Sequence, residues 1–182
     1  MNQQTMTAAE STRQHLEAAL AFAREAGELT LGYFGGSAFE VTTKRDGTKV
    51  TTADRGAEQL LRARIEEAFP EDGILGEEFG EKASVSGWRW VLDPIDGTVS
   101  FVHGVPLYGT LVACEYQGQT PVGVIHMPAL GETVYASAGE GAWHVAGPGA
   151  APVRARVSMV EEIGDAAMCT TSFEYFQQAG VE

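Results

Sequence analysis

Asp93, Asp96 and Thr98 close the run Trp88-Arg-Trp-Val-Leu-Asp-Pro-Ile-Asp-Gly-Thr98, which brings two carboxylates, a glycine and a hydroxyl to the end of an apolar stretch. Val91 and Leu92 carry the chain through a core, and Pro94, unable to donate to a strand ladder, is expected to end the strand and turn it outward. Asp93 and Asp96 then flank the turn. Asp96-Gly97-Thr98 reads as the cap and first turn of a short helix through Ser100, Phe101 and Val102, whose free N–H groups suit a phosphate. Two carboxylates at such a place suit a hard divalent ion such as Mg2+, which takes oxygen ligands and keeps some of its water.

Two further acidic groups belong with this turn. Asp54 precedes a helical pattern, and Glu77-Glu78 follows Gly76 at the end of the short apolar pair Ile74-Leu75. Neighbouring strands ending in Glu77 and Asp93 place their carboxylates at one sheet edge, together with Asp54. A pair of metal ions held there would polarise a phosphoryl group, lower the pKa of a water and stabilise the leaving oxygen. The Ile95 carbonyl, between Pro94 and Asp96, is a candidate for a further oxygen ligand, and the Thr98 hydroxyl could orient the attacking water with Asp54 accepting its proton. The plainer alternative makes Thr98 a helix-cap residue and Asp54 the N-cap of its helix; both roles are compatible.

The elements that must position these groups are legible in the hydrophobic pattern. Leu16, Ala19, Leu20, Ala23 and Leu31 repeat at helical spacing after Ser11-Thr12, predicting a helix from about Ala8 to Phe34 that Gly35-Gly36 ends. Phe39 to Thr43 reads as a strand and Lys44 to Lys49 as an exposed hairpin or loop. A second helix is expected from Asp54 to Phe69, with Ala57, Leu60, Leu61, Ile65 and Ala68 facing inward and Pro70-Glu71-Asp72-Gly73 as its stop. Leu107 to Tyr116, Pro121 to Met127 and Thr133 to Ser137 then read as a meander of antiparallel strands. Two helices on such a sheet make an α+β layered fold. Gly147, Pro148, Gly149 and Pro152 mark a boundary, giving residues 1–150 as an N-terminal metal- and phosphate-binding domain and 151–182 as the start of a second α/β domain. There, Val153 to Val157 and Ala166 to Thr171 read as strands and Phe173 to Gly180 as the beginning of a helix.

Composition narrows the partners. Twelve Lys and Arg against 25 Asp and Glu give a net charge of −13 with the basic residues scattered singly, which argues against nucleic acid. The polar first residues carry no signal-peptide core and no long apolar run follows, so neither secretion nor membrane spanning is expected and a cytoplasmic location is. Cys114 and Cys169 lie far apart in apolar or Thr-rich surroundings and read as buried free thiols. Gly139-Glu-Gly141 lacks the third glycine and following helix of a nucleotide loop and reads as a turn. His103, just past the short helix, reads as a surface or capping residue, with a pocket-facing role as the alternative.

Taken together, Asp93-Pro-Ile-Asp-Gly-Thr98, with Trp90 before it and Phe101 and Pro106 after, resembles the signature of the inositol monophosphatase family of Mg2+-dependent phosphatases. Lys44 to Asp54 and Gly76-Glu77-Glu78 match that family's two upstream motifs. The resemblance implies the family's layered α/β sandwich. It implies metal ligation by Glu77, Asp93, the Ile95 carbonyl and Asp96, phosphate contacts from Gly97 and Thr98, and water activation by Thr98 with Asp54. Ser100-Phe101, where inositol enzymes usually carry Asn at the first position, and Lys44-x-Asp-Gly-Thr48 resemble the histidinol-phosphatase branch. The implied substrate is then histidinol phosphate, with inositol monophosphate or a broader set of sugar phosphates as the alternative.

The family's later Gly-Asp segment and Trp-Asp-x-Ala motif, which supplies another metal ligand and meets the substrate, are not found in this sequence. The chain is accordingly expected to span the complete N-terminal half and a truncated C-terminal half, and uncovered apolar strands near Ala166 to Thr171 point either to self-association, with a homodimer as the candidate, or to partial disorder. Two rivals follow. A haloacid-dehalogenase-type phosphatase would use Asp93 as nucleophile, but two residues separate Asp93 from Asp96, so the pair would not point the same way. A catalytically incomplete metal-binding fragment or interaction module would bind Mg2+ without turnover.

Overall fold

Thr7 starts the first helix: its hydroxyl accepts from the Glu10 amide while the Glu10 side chain accepts from the Thr7 backbone, a reciprocal cap. The computed structural model describes residues 7–36, 39–44, 49–167 and 169. Helix α1 (Ala8–Leu31) begins where the sequence predicts, but the cap is Thr7 rather than Ser11-Thr12, and the helix gives way to turns three residues before Phe34. Ala19, Ala23 and Ala26 are fully buried, so α1 lies close on the sheet through its smallest side chains. A Cβ at Gly27 would come within 2.6 Å of the His126 ring, so glycine is what permits that approach. Leu31, expected to face inward, is exposed, because the chain is already leaving the sheet there.

Strands β1 (Val41–Thr43) and β2 (Lys49–Thr51) pair antiparallel, Val41 opposite Thr51, as the two arms of the expected hairpin. The loop residues 45–48 lie outside the described residues. Helix α2 (Thr52–Ala68) buries Ala57, Leu61 and Ile65 as predicted, whereas Ala68 is exposed and Leu60 only half-buried. Its N-cap is Thr51, not Asp54; Asp54 is the third helical residue and completes the capping box, accepting from the Thr51 amide at 2.7 Å and hydroxyl at 2.5 Å.

The main sheet has eight strands: β3 (Gly73–Gly76), β4 (Gly80–Lys82), β5 (Trp88–Asp96), β6 (Gly109–Tyr116), β7 (Gln119–Met127), β8 (Glu132–Ser137), β9 (Gly141–Val145) and β10 (Val153–Arg154). Their order is β10-β9-β8-β7-β6-β5-β3-β4. Strands β4 and β9 are short and lack a sustained hydrophobic alternation. The β3–β5 pair alone among these is parallel, with Gly76 opposite Leu92, so the chain leaves both strands at the same end of the sheet with Glu77 beside Asp93. A fold of two helices on one sheet, the α+β layers read from the pattern, is what the chain builds.

Both helices cover one face. Trp88, Trp90, Leu92, Val112, Cys114, Val122 and Val124 meet Leu16, the α1 alanines, Ala57, Leu61 and Ile65 in one core. At its end His15 stacks on Trp88 at 3.8 Å, with Nδ1 2.7 Å from the Ser11 carbonyl and Nε2 3.0 Å from the Asp72 carboxylate. Asp72 also accepts from Trp90 Nε1 at 2.9 Å and Ser86 Oγ at 2.6 Å. The opposite face carries a hollow of about 420 Å3 lined by Val91, Leu111, Ala113, Ile125, Val134 and Ala136 among others, with Ile125 46% and Val134 39% exposed.

Pro94 does not end its strand. It sits buried within β5, where the pairing with β6 slips between Asp93 and Asp96, and its carbonyl accepts from Thr110 Oγ1 at 2.9 Å. A bulge accommodates the missing donor, and the strand bends rather than stops. The tail departs further from expectation. The predicted strand Val153–Val157 is reduced to β10, which pairs with β9 in the main sheet. Ala166, Ala167 and Cys169 are not in a strand, while Thr170, Thr171 and the expected Phe173–Gly180 helix lie outside the described residues. An unpredicted 3-10 turn occupies Ile163–Asp165. Cys114 is a buried free thiol as expected, but Cys169 is exposed, as are the described residues Glu161–Ala167 before it.

Candidate active site

The bulge in β5 delivers the site. Asp96 is the last strand residue, and the short helix α3 (Thr98–Val102) starts from Gly97, not from an Asp96 cap. Gly97 has φ of 88°, and a Cβ there would also stand 3.1 Å from the Leu107 carbonyl, so the tight passage from strand to helix needs glycine. Beneath the turn, Ile95, Phe101, Tyr108 and Ala53 form a small core of their own, with Phe101 edge-on to Tyr108 at 5.0 Å. The turn is therefore anchored by apolar packing on its inner side, leaving its polar atoms on the other.

Thr98 is not a side-chain cap; its hydroxyl reaches Asp54 Oδ1 at 3.3 Å and the Ile95 carbonyl at 3.1 Å. Asp54, distant in sequence, thus meets the Ile95–Thr98 turn. Asp54 is 2% exposed, and burial raises its pKa against the opposing bonds from Thr51 and Thr98, which makes it a better proton acceptor than a surface carboxylate.

The parallel register places Glu77 by Asp93. Burial first, and then the charges of Glu77 and Asp96, push the Asp93 pKa up to about 7. Among the described residues, Asp93 Oδ1 is the one buried side-chain polar atom with no hydrogen-bond partner. Clustered carboxylates with an orphaned buried oxygen are the chemistry of a cation-binding pocket, and three carboxylates with a carbonyl form an all-oxygen donor set that fits Mg2+. The side chains are not drawn together into a finished cage: among the described residues no three of the acidic, His or Cys side chains form a metal-ready group.

Lys44 shares that charge. Its ammonium bridges Glu77 Oε1 at 2.9 Å and Glu78 Oε1 at 2.6 Å, and although burial opposes it, these bonds raise its pKa. Glu78, its side chain 4% exposed, has its pKa raised by burial and by repulsion from Glu77 and Asp54. The pairing of Lys44 with Glu77 was not read from the sequence, although a lysine opening an upstream motif was its signal. His103 does not join the site; it is exposed, and its Nδ1 bonds the Val99 carbonyl at 2.8 Å as a helix C-cap. Gly139 and Gly141, with φ of 81° and 71°, serve the turn between β8 and β9.

Known proteins resemble this chain in sequence and fold. A statistical model of the inositol monophosphatase family matches residues 11–179, and the chain belongs to that family. A histidinol-phosphatase of Chlorobaculum parvum is 48% identical over 160 residues, 88% of this chain and 60% of that protein. A second histidinol-phosphatase, from Mycobacterium tuberculosis, is 41% identical over 90% of this chain and 62% of its own length. Within the family the chain falls on the histidinol-phosphatase-like side. Among solved structures, the extragenic suppressor protein SuhB of Bartonella henselae superposes with a TM-score of 0.74 at 32% identity, over 81% of this chain and 55% of that one. The chain thus spans about 60% of the length of the curated relatives it matches. Among the described residues no helix is long and apolar enough to cross a membrane.

Proposed function

We propose that the chain carries the catalytic core of a Mg2+-dependent phosphate monoesterase acting on histidinol phosphate, a step of histidine biosynthesis. The observation that carries the reading is the meeting of Thr98 with the buried Asp54 directly beside the Asp93–Asp96 turn. Held by Glu77, Asp93, Asp96 and the Ile95 carbonyl, Mg2+ would supply Lewis acidity toward the phosphoryl oxygens and lower the pKa of water. The chain's own residues do the rest. The Thr98 hydroxyl, donating to Asp54, keeps its lone pairs free to orient a water, and Asp54 takes the proton. The amides of Gly97 and Thr98, at the start of α3, are the phosphate contacts. The names of the relatives favour histidinol phosphate over inositol monophosphate.

On this reading water attacks phosphorus directly, so no phosphoryl group is transferred to Asp93. Mass spectrometry of acid-quenched enzyme during turnover is expected to find unmodified Asp93; a phosphoaspartate would replace the mechanism with the nucleophilic one. A small phosphorylated metabolite in the cytoplasm is the proposed partner, with a homodimer as the working unit; the scattered basic residues and net charge of −13 favour this over nucleic acid.

A further inference from the structure

Helix α2 carries three charged or acidic residues one turn apart, Asp54, Glu58 and Arg62, on the side that faces the site. The first contacts Thr98. The second is the unusual one: Glu58 is fully buried, and no part of the mechanism above uses it. Its Oε2 accepts from the Glu78 amide at 2.7 Å and its Oε1 from the Phe79 amide at 3.2 Å, while Arg62 Nε donates to Oε1 at 2.8 Å. Arg62 reaches on to the Gly80 carbonyl. The turn between β3 and β4 is therefore gripped by its amides and by its carbonyl from one helix. Gly76 completes the fit, because a Cβ there would overlap the Glu58 carboxylate, 1.9 Å from Oε1.

We propose that Glu58 is a positioning residue: through the Glu78 and Phe79 amides it fixes the turn that presents Glu77, and α2 sets the separation between Glu77 and the Thr98–Asp54 contact. The role rests on the reading of Glu77 as a metal ligand. Burying a carboxylate is costly unless its lone pairs are filled, and here both oxygens are. A core position could have been filled at lower cost by an apolar side chain; what the charge adds is a defined geometry for three consecutive turn residues. Glutamine at 58 would offer an N–H2 where an amide donor or the guanidinium now points, so one of the bonds is lost without a change in size.

The test uses the 182-residue chain with Mn2+ as probe, read by electron paramagnetic resonance, and amide hydrogen exchange at Glu78 and Phe79 read by NMR. Glu25→Gln, whose parent pairs with Arg64 on the outer surface, is the control. For Glu58→Gln the expected result is at least a tenfold loss of protection at whichever of the two amides faces the new N–H2 and an about tenfold weaker Mn2+ affinity, in the range that loss of an outer hydrogen-bond partner costs, with Glu25→Gln like wild type. Gly76→Ala, which displaces the Glu58 carboxylate without altering its charge, is expected to give the same pair of changes and stands in if Glu58→Gln does not fold. Unchanged protection overturns the proposal, as does lost protection with unchanged Mn2+ affinity, which would leave Glu58 a stabilising residue only. A wild-type chain that takes up no Mn2+ overturns the metal reading itself, and is told apart because the exchange results still stand.

Discussion

Asp93 and Asp96 stand on opposite sides of a bulge, and that placement decides what their loss should do. Each removes one anionic donor from a site whose other members are already crowded by like charge. Asp93→Asn and Asp96→Asn are each expected to lower Mg2+-dependent phosphate release by more than the roughly 10- to 100-fold that an outer hydrogen-bond partner of a metal ligand is worth. Full activity in either would remove the metal assignment. Thr98→Val keeps the shape of the first turn of α3 and deletes the contact with Asp54; kcat should fall about 10^2- to 10^4-fold with KM little changed, the size of a lost general-base step. The acidic motif residues were readable because their types and spacing carry the chemistry by themselves. Lys44 on Glu77 and Glu58 under the turn were not, because a contact across 33 or 20 residues depends on register and packing rather than on local pattern.

The capping of α2 links stability to the site. Thr51→Ala removes the hydroxyl that accepts from the Ala53 and Asp54 amides and donates to the Asp54 carboxylate. A loss of about 1–2 kcal/mol is expected, measured as a lower midpoint in chemical denaturation. At the other end of the core, Asp72 is buried, yet its bonds from His15, Ser86 and Trp90 outweigh burial and hold its carboxyl below the usual range. Its folded pKa lies under the unfolded one, so the unfolded chain binds more protons and stability rises with pH through this window. The contribution is complete above the unfolded pKa near 4 and disappears as pH falls through the folded value. Asp72→Asn should flatten the acid limb of stability against pH; an unchanged limb would mean that other carboxylates govern it. Helices and meander were legible at this scale because their periodicity is long. Pro94 misled because a bulge on β5 solves locally what proline forbids in a regular ladder, and a single sequence does not mark bulges.

For the molecule as a whole, the asymmetry of the sheet matters most. One face is closed by α1 and α2, whereas the other exposes Ile125 and Val134 in an apolar hollow. Continuous apolar surface of this kind promotes association. The chain is expected to bind a hydrophobic dye at neutral pH and to sediment as more than a monomer, and Ile125→Glu should reduce both; a dye-silent monomer would contradict the open face. The sequence pattern of β7 and β8 predicted the meander, but which face of the sheet the helices cover is set by tertiary packing and is absent from local pattern. The division near residue 150 remains a proposal, since β10 joins the main sheet while the described residues after Arg154 are almost all exposed.

The most direct measurement is phosphate release from histidinol phosphate by the 182-residue chain, with Mg2+ and with a chelator, beside inositol monophosphate and the Asp93→Asn variant. Release that requires Mg2+, favours histidinol phosphate and vanishes in Asp93→Asn is the predicted result. Release that persists in chelator or in Asp93→Asn, or its absence with Mg2+ from both substrates, would contradict a metal-dependent phosphatase core in this chain.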